Sequence, residues 1–312
     1  MNEELTARVG SLEENLRSVI RGKNEAIRLV LIAFLAGGHV LLEDVPGTGK
    51  TTLAKSLARS LDGAFRRVQF TPDLLPADIT GSNYYRPQEG VFEFRQGPIF
   101  TNILLADEIN RTSPRTQSAL LEAMSEHQVT VDGKRRDLPS PFFVIATQNS
   151  SDYQGTYPLP EAQLDRFAAR ISLGYPDIET EIDILYSQHD GHPFELLDAV
   201  LSSKDVLEIQ TSIRAVKIDR SIVEYMLKLV DTTRTDPRIR LGISPRGSLM
   251  LYRAVQSRAR LEGRDYALPE DVRALAVPVL AHRLLLDAKA RYGGLQTTHF
   301  IEEALERVPV PR

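Results

Sequence analysis

Short, wholly apolar runs alternate along the first half of the chain with segments whose apolar residues recur every three or four positions. The apolar runs are residues 40–42, 103–106 and 142–146, and residues 65–70 and 168–173 are predicted as further strands that also contain polar side chains. Such runs are typical of strands buried on both faces of a parallel sheet. The segments between them, such as the one carrying Leu53, Leu57 and Leu61, have the spacing of amphipathic helices. The alternation predicts an α/β sheet with right-handed crossovers.

Two segments interrupt this alternation. Residues 91–95 alternate apolar and polar side chains close to glycines, which predicts a small hairpin inserted among the helices. Residues 129–134 contain Asp132-Gly133, a dipeptide strongly preferred in two-residue hairpin turns. We therefore expect two hairpins that stand outside the main sheet.

The pattern changes after Gly174-Tyr175-Pro176. From Asp177 onward the periodicity is helical, and we expect no strand there. This change predicts two domains, an α/β core over residues 1–175 and an all-α lid over residues 176–312.

Composition narrows the class of protein. The chain has 312 residues, a formal net charge of −4 and no cysteine. The slight acidity argues against a broad electrostatic interaction with nucleic acid or anionic lipid. The absence of cysteine excludes disulfides and thiolate-ligated metals. An acidic start and apolar runs too short to span a bilayer lead us to expect a soluble, cytoplasmic protein without a membrane association.

The most specific local signal is a glycine-rich loop between a predicted strand and a predicted helix. Its residues are Pro46, Gly47, Thr48, Gly49, Lys50, Thr51 and Thr52. Glycines let successive backbone N–H groups converge on an anion, and the following helix N-terminus adds partial positive charge. Lys50 is predicted to reach the β- and γ-phosphates of a nucleotide, and the Thr51 hydroxyl to ligate Mg²⁺. Asp44 stands where the general phosphate-loop pattern has its first glycine.

A second signal is the pair of acids that ends the strand at residues 103–106. Asp107 is predicted to hold Mg²⁺, directly or through water, and Glu108 to polarise an attacking water. Alone, two acids at a strand end would be read as solvated surface residues. Their position after a phosphate loop favours ATP hydrolysis.

Three further residues are candidates whose local sequence leaves the role open. Asn149 follows the strand at residues 142–146, where its amide would help to position water or would simply cap a loop. Arg166 and Arg246 are candidates for stabilising charge on phosphate in the transition state, with a surface ion pair as the alternative for each.

Several clusters carry no chemistry that we would assign. His189 and His192 lack a third ligand nearby, so a polar loop is the preferred interpretation. The basic cluster at residues 134–136 is interpreted as a solvated turn, although on a hairpin it would also suit an acidic client.

The order of these motifs resembles the AAA+ ATPases and, more closely, their MoxR family. The resemblance extends over most of the chain and is carried by residues 70–81, 107–111, 117–124, 155–167, 244–247 and 263–266. It implies a five-stranded parallel αβα core, with the hairpin at residues 91–95 as the helix-2 insert, followed by a helical lid.

The resemblance also implies roles for the open candidates. Asn149 becomes the sensor-1 residue, Arg166 an arginine finger acting on ATP of the neighbouring subunit, and Arg246 the sensor-2 residue of its own subunit. Val19 and Ile20 match the segment that packs near adenine. A finger acting in trans implies a ring, with a hexamer as the expected active state.

For the biological role, the resemblance implies an ATP-driven, chaperone-like remodeller. It would act in maturation of a protein complex, often by metal or cofactor insertion, with a separate von Willebrand factor A (VWA) domain partner. The alternatives are a motor acting on nucleic acid, a motor subunit of a metal chelatase, and a slow nucleotide-gated scaffold. The acidic composition argues against the first, and the presence of Glu108, Asn149 and Arg166 argues against the last.

Overall fold

A computed structural model describes residues 3–148, 156–187 and 193–311 of the chain. Within these ranges the strands are β1 Val40–Glu43, β2 Phe65–Gln69, β3 Gly81–Arg86, β4 Val91–Gln96, β5 Ile103–Asp107, β6 Gln128–Val131, β7 Lys134–Asp137, β8 Phe143–Gln148, β9 Ala169–Ile171, β10 Ile239–Leu241 and β11 Leu285–Leu286. The helices are α1 Glu3–Val19, α2 Asn24–Leu35, α3 Lys50–Ser60, α4 Pro76–Thr80, α5 Pro114–Glu126, α6 Glu161–Leu164, α7 Ile178–Ser187, α8 Ser203–Arg214, α9 Arg220–Thr235, α10 Pro245–Leu261, α11 Pro269–Leu280, α12 Ala288–Tyr292 and α13 Thr297–Arg307.

Five of these strands form the central sheet, in the order β2-β5-β8-β1-β9. All neighbouring pairs are parallel, and Leu41 of β1 lies opposite Ala146 on one side and Arg170 on the other. The carboxyl ends of β1 and β5, with the phosphate loop and the acidic pair after them, therefore lie at the same edge of the sheet. The predicted five-stranded parallel sheet is confirmed.

The inner strands β1, β5 and β8 bury both of their faces, because helices cover the sheet from both sides. The edge strand β2 instead exposes Arg66, Arg67 and Gln69. Leu42, Leu105 and Ile145 point into an apolar cluster shared with α1, α2 and α3. Their strand neighbours Leu104 and Val144 point to the opposite face, into a cluster shared with α5. This arrangement is the expected αβα layering, and it explains why the inner strands are continuous apolar runs rather than alternating ones.

Two antiparallel hairpins stand outside the central sheet, β3 with β4 and β6 with β7. The first is the predicted insert, although the alternating segment at residues 91–95 supplies only its second strand. The turn of the second is Asp132-Gly133, both with positive φ (50° and 74°), as the dipeptide predicted. The hairpins contact each other, since the Arg136 guanidinium lies over the Phe94 ring with its carbon 3.5 Å from the ring centroid.

The lid is a helical unit built on α9, α10, α11 and α13, which share one apolar cluster. The expectation of no strand after Asp177 is wrong at one place, because β10 and β11 form a short antiparallel pair. With three and two residues, these strands are too short to show an alternating pattern in the sequence. Upstream of the lid cluster, α8 packs into the same apolar cluster as α1, α2 and α3.

Candidate functional site

The loop between β1 and α3 has the backbone of an anion cradle. Gly47 and Gly49 have φ values of 85° and 90°, a region in which glycine alone among the residues carries no Cβ penalty. Helix α3 starts at Lys50 directly after Gly49, which leaves its first N–H groups free to bind an anion. The loop also lies at the carboxyl edge of a parallel sheet, where α/β folds bind their ligands.

Lys50 is buried at the base of this loop. Its Nζ donates hydrogen bonds to the carbonyl oxygens of Asp44 and Val45, at 3.1 and 3.0 Å. Burial lowers the pKa of Lys50, while the negative charges of Asp44, Asp107 and Glu108 act in the opposite direction. The ammonium is therefore held by two neutral acceptors that a phosphate oxygen can replace.

Asp44, the departure from the glycine pattern, has a structural role. Its buried carboxylate accepts hydrogen bonds from the Ser172 hydroxyl at 2.8 Å and from the amides of Leu173 and Gly174 at 2.5 and 2.9 Å. Asp44 thus ties the start of the phosphate loop to the chain that follows β9. A glycine at this position would lose three hydrogen bonds.

Asp107 ends β5 and is held from both sides. One carboxylate oxygen accepts a hydrogen bond from the Thr147 hydroxyl at 2.6 Å, and the other accepts two from Arg67, at 2.6 and 3.1 Å. Arg67 comes from β2, the neighbouring strand. A cation therefore already faces the carboxylate that is predicted to hold the metal.

Glu108 follows with a left-handed backbone, φ 57° and ψ 49°. Its amide donates to the Thr147 hydroxyl at 2.8 Å. Its carboxylate accepts hydrogen bonds from Gln69 at 2.9 Å and from Arg111 at 3.1 Å. L-residues rarely adopt this backbone region, and strained positions of this kind cluster at functional sites.

These side chains meet in one cleft of about 360 Å³. Its lining consists of Pro46, Gly47, Gly49, Lys50, Thr51, Thr52, Arg67, Gln69, Asp107 and Glu108. The predicted residues at the phosphate loop and the acidic pair are thus brought together, apart from Thr48, whose hydroxyl turns back to the Val45 carbonyl at 3.4 Å. The Thr51 hydroxyl and the Asp107 carboxylate are the hard oxygen donors that Mg²⁺ prefers, so the residues present fit that ion.

The predicted adenine segment lies beside the loop. The Ile20 Cδ1 atom is 3.7 Å from the point where a Cβ on Gly49 would stand. Val19 packs against the apolar cluster of α1 and α2. Both residues therefore lie near the phosphate loop, at the end of α1.

Two predicted arginines lie outside the cleft lining. Arg166 is half-buried, and its guanidinium donates to the Leu121 carbonyl at 2.7 Å and to the Ser125 hydroxyl at 2.6 Å, both on α5. Arg246 is exposed in the first turn of α10. Asn149 lies outside the described residues. The roles implied for all three stay predictions.

Four residues of the site were missed by the sequence reasoning. They are Arg67, Gln69, Arg111 and Thr147, which bind the two acids. A signal did exist for two of them, since Arg67 and Gln69 are polar residues at alternate positions of a strand in an otherwise apolar sheet. Arg111 and Thr147 have no such signal, because their partners are set by the fold.

Sequence comparison divides the chain in the same way as the structure. Residues 39–169 match the profile of the ATPase family associated with various cellular activities (AAA), and residues 231–304 match the AAA lid domain. Among the described residues no helix is long and apolar enough to cross a membrane.

Several full-length relatives are similar to this chain. It is 49% identical over 309 residues to the uncharacterized protein YeaC of Bacillus subtilis, covering 99% of this chain and 97% of YeaC. It is 39% identical to chaperone MoxR1 of Mycobacterium tuberculosis, covering 99% and 85%, and 33% identical to protein MoxR of Methylorubrum extorquens, covering 96% and 94%. The crystal structure of a presumptive ATPase from Cytophaga hutchinsonii superposes with a TM-score of 0.91 at 38% identity, covering 99% of this chain and 96% of that one.

Proposed function

The chain belongs to the MoxR family of AAA+ ATPases and hydrolyses ATP, and from this premise we propose that it is a chaperone-like motor that remodels a protein client. We further propose that it acts as a hexameric ring in the cytoplasm, in maturation of a protein complex by metal or cofactor insertion, with a separate VWA-domain partner. In this proposal residues 1–175 form the motor core and residues 176–312 the lid.

In the proposed hydrolytic step, each group of residues in the cleft has a separate role. Lys50 and the amides after Gly47 and Gly49 bind the phosphates, and Thr48 and Thr52 flank that cradle. Glu108 accepts the proton of the attacking water, while Gln69 and Arg111 hold its carboxylate in place. Thr51 and Asp107 would hold Mg²⁺, which neutralises phosphate charge when bound. Asn149 would orient the same water.

For the assembled state, Arg166 is the residue proposed to act on the neighbouring subunit. It is absent from the lining of its own cleft, and its hydrogen bonds to α5 hold it elsewhere in the subunit. An arginine that reaches the γ-phosphate only from a neighbour makes turnover dependent on ring assembly. Arg246, exposed at the start of α10, is proposed to reach the γ-phosphate of its own subunit when the lid closes.

The observation that carries the client part of the proposal is the surface of the two joined hairpins. Tyr84, Tyr85 and Phe92 are exposed on the first hairpin, with Phe92 72% exposed. The exposed basic residues Lys134 and Arg135 lie on the second. Exposed aromatic side chains beside positive charge suit an unfolded, acidic polypeptide, because they offer both apolar contact and charge attraction.

The nucleotide half of the proposal is tested with three variants. Lys50→Ala should lose ATP binding. Glu108→Gln should bind ATP with near-normal affinity and hydrolyse it about 10²–10⁴-fold more slowly. Arg166→Ala should bind ATP in each subunit and lose about 10³-fold or more of the turnover of the assembled ring. Normal hydrolysis by an Arg166→Ala ring would contradict the trans assignment.

The client half is tested by the ATPase rate with an unfolded acidic protein, such as reduced α-lactalbumin, and separately with single-stranded DNA. We expect stimulation by the protein and none by the DNA. The double variant Tyr84→Ser, Phe92→Ser should lose the stimulation and keep the basal rate. Tyr292→Ser is the matched control, since Tyr292 is an exposed aromatic residue of the lid. Stimulation by DNA alone would favour a nucleic acid motor instead.

A further inference from the structure

One carboxylate joins the core to the lid. Asp165, at the end of α6, accepts a hydrogen bond from the Arg283 Nε atom on one oxygen, at 2.9 Å. Its other oxygen accepts one from the Ser244 hydroxyl, at 2.8 Å. Arg283 and Ser244 both belong to the lid, 118 and 79 residues away along the chain. We refer to Asp165, Ser244 and Arg283 as the junction cluster.

Arg283 is an unusual arginine because it is almost fully buried, with 3% of its surface exposed. Its guanidinium also donates to the carbonyl oxygens of Phe167, Ala168 and Val279. Burial lowers the pKa of Arg283 to about 10, so the group is charged at neutral pH. A buried charge that loses its counter-ion is costly, so Asp165 and Arg283 are held together when either domain moves.

The junction cluster lies next to both arginines proposed to contact ATP. Asp165 directly precedes Arg166 in the chain. Ser244 is the N-cap of α10, whose first turn contains Arg246, and its hydroxyl accepts a hydrogen bond from the Gly247 amide at 3.2 Å. Movement of either segment therefore acts on the same carboxylate.

Packing at the start of α10 is close enough to transmit such movement. A Cβ on Gly247 would stand 2.9 Å from the Arg283 Cδ atom and 2.7 Å from the Ile243 Cγ2 atom. The backbone of α10 at Gly247 therefore packs directly against the Arg283 side chain, and we expect α10 and Arg283 to move together. Arg166 is in turn held on α5, so a shift of Asp165 changes whether those hydrogen bonds survive.

We propose that the junction cluster is a positioning device that links the sensor-2 residue Arg246, which reads the nucleotide of its own subunit, to the finger Arg166, which serves the neighbouring subunit. This inference rests on the roles proposed for those two arginines. When Arg246 engages ATP, α10 moves, Ser244 and Arg283 carry Asp165 with them, and Arg166 is released from α5 toward the neighbour. Each subunit thereby supplies its finger only after it has bound ATP.

The sharpest variant is Ser244→Gly. It removes the hydroxyl that binds Asp165, while glycine is nearly as favourable as serine at an N-cap. The matched control is Ser202→Gly, at the N-cap of α8, where the serine hydroxyl also caps a helix but binds Asp205 rather than Asp165. We expect Ser244→Gly rings to bind ATP normally and to show a lower kcat at unchanged KM. The Hill coefficient for ATP should fall toward 1, with both quantities unchanged in Ser202→Gly.

Mixed rings give a readout that a purely structural role would not change. Wild-type subunits are mixed with increasing fractions of Lys50→Ala subunits, which bind no ATP and so, by this inference, do not release their finger. Turnover should then fall more steeply than the fraction of active subunits. In a Ser244→Gly background it should fall in proportion. Identical curves in the two backgrounds would overturn the inference.

Two variants of Arg283 test the junction cluster from the lid side. Arg283→Lys keeps a charge next to Asp165 and should restore part of the Hill coefficient that Arg283→Met loses.

The variants Arg166→Ala and Ser244→Gly together separate this inference from the proposed function. If Arg166→Ala abolishes turnover while Ser244→Gly behaves like the control, the finger assignment stands and the junction cluster has no coupling role. If Arg166→Ala rings turn over normally, the finger assignment itself fails.

Discussion

Two aspartate–arginine pairs in this molecule have similar geometry, but their arginines lie in opposite surroundings. Arg67 binds Asp107 at 2.6 Å in the nucleotide cleft, with 48% of the arginine side chain exposed. Arg283 binds Asp165 at 2.9 Å at the core–lid junction, with 1% of its side chain exposed. The first arginine faces solvent and can be replaced by another cation, whereas the second arginine is shielded from water, although 19% of the Asp165 side chain is exposed.

The difference shows how one residue pairing serves two purposes in this ATPase. An exposed ion pair contributes at most about 1 kcal/mol, so Mg²⁺ or a phosphate can displace Arg67 at little cost. A buried pair is costly to break because one charge is then left unpaired. The cleft is therefore suited to rearrangement during each turnover, and the junction to moving as a unit.

The largest expected effect is that of Arg283→Met. Asp165 would lose the counter-ion of a buried pair, and the free energy of unfolding should fall by about 3–5 kcal/mol in a urea titration. Arg67→Met is the matched control, for which a loss below about 1 kcal/mol is expected. Equal losses for the two variants would remove the distinction between the pairs.

A smaller effect is expected for Gly247→Ala, which adds a methyl group against Arg283 and Ile243. Overpacking of this kind should lower the unfolding free energy by about 1–3 kcal/mol, measured by the same titration. Gly10→Ala in α1 is the control, because nothing lies within 4 Å of its added Cβ. That substitution should stabilise the chain by about 0.5–1 kcal/mol, since alanine is the better helix former. An unchanged free energy of unfolding in Gly247→Ala would show that the side chains around the junction cluster move apart to accommodate the added methyl group.

A fall to mildly acidic pH should lower the free energy of unfolding through two buried histidines. The lining of the cleft contains no histidine. His39 accepts a hydrogen bond from the Val144 amide on Nδ1 at 3.0 Å, and burial lowers its pKa to about 4. His282, beside Arg283, has its pKa lowered in the same direction by burial and by that charge. Lowered pKa values mean that the unfolded chain binds these protons first, so stability is lost as the pH falls below about 6.5.

From pH 7 to pH 5.5, His39 alone should cost about 1 kcal/mol of unfolding free energy. The measurement is a pair of urea titrations at the two pH values, for wild type and His39→Asn. Asparagine removes the titrating group, so the unfolding free energy of His39→Asn should fall between these two pH values by about 1 kcal/mol less than that of the wild type. The same pH dependence in both proteins would contradict the assignment.

The smallest effect is expected for Arg67→Gln, which removes the cation that competes for Asp107. The Mg²⁺ concentration that half-saturates nucleotide binding should fall by about 1.5- to 5-fold, the equivalent of an exposed ion pair. A fluorescent ATP analogue titrated with magnesium chloride provides the measurement. Arg66→Gln is the control on the same strand. A rise in the magnesium requirement would show instead that Arg67 assists the metal site.

The sheet and the cleft were largely predictable because their signals are local. Apolar runs marked the inner strands β1, β5 and β8, and the order of Lys50, Asp107 and Glu108 after particular strands placed them at one edge. Parallel topology then brings such residues together without further information. The turn at Asp132-Gly133 was predictable for the same reason.

What could not be predicted depends on contacts between distant residues. Thr147 binds both acids, yet a threonine at a strand end has no distinguishing pattern. The burial of Arg283 opposes the usual location of arginine and appears only when the lid is docked on the core. Likewise β10 and β11 are strands only because they pair with each other, although 43 residues of chain separate them. Neither has a strand pattern of its own in the sequence.

The Thr147 hydroxyl has one consequence for how the two acids of the cleft move. The same hydroxyl donates a hydrogen bond to the Asp107 carboxylate and accepts one from the Glu108 amide, so both residues are hydrogen-bonded to a single oxygen atom. A displacement of the Asp107 carboxylate would therefore be transmitted through the Thr147 hydroxyl, over two hydrogen bonds, to the backbone of Glu108, the residue proposed to activate water. The position of the proposed metal ligand and that of the proposed general base are thereby coupled through one threonine side chain.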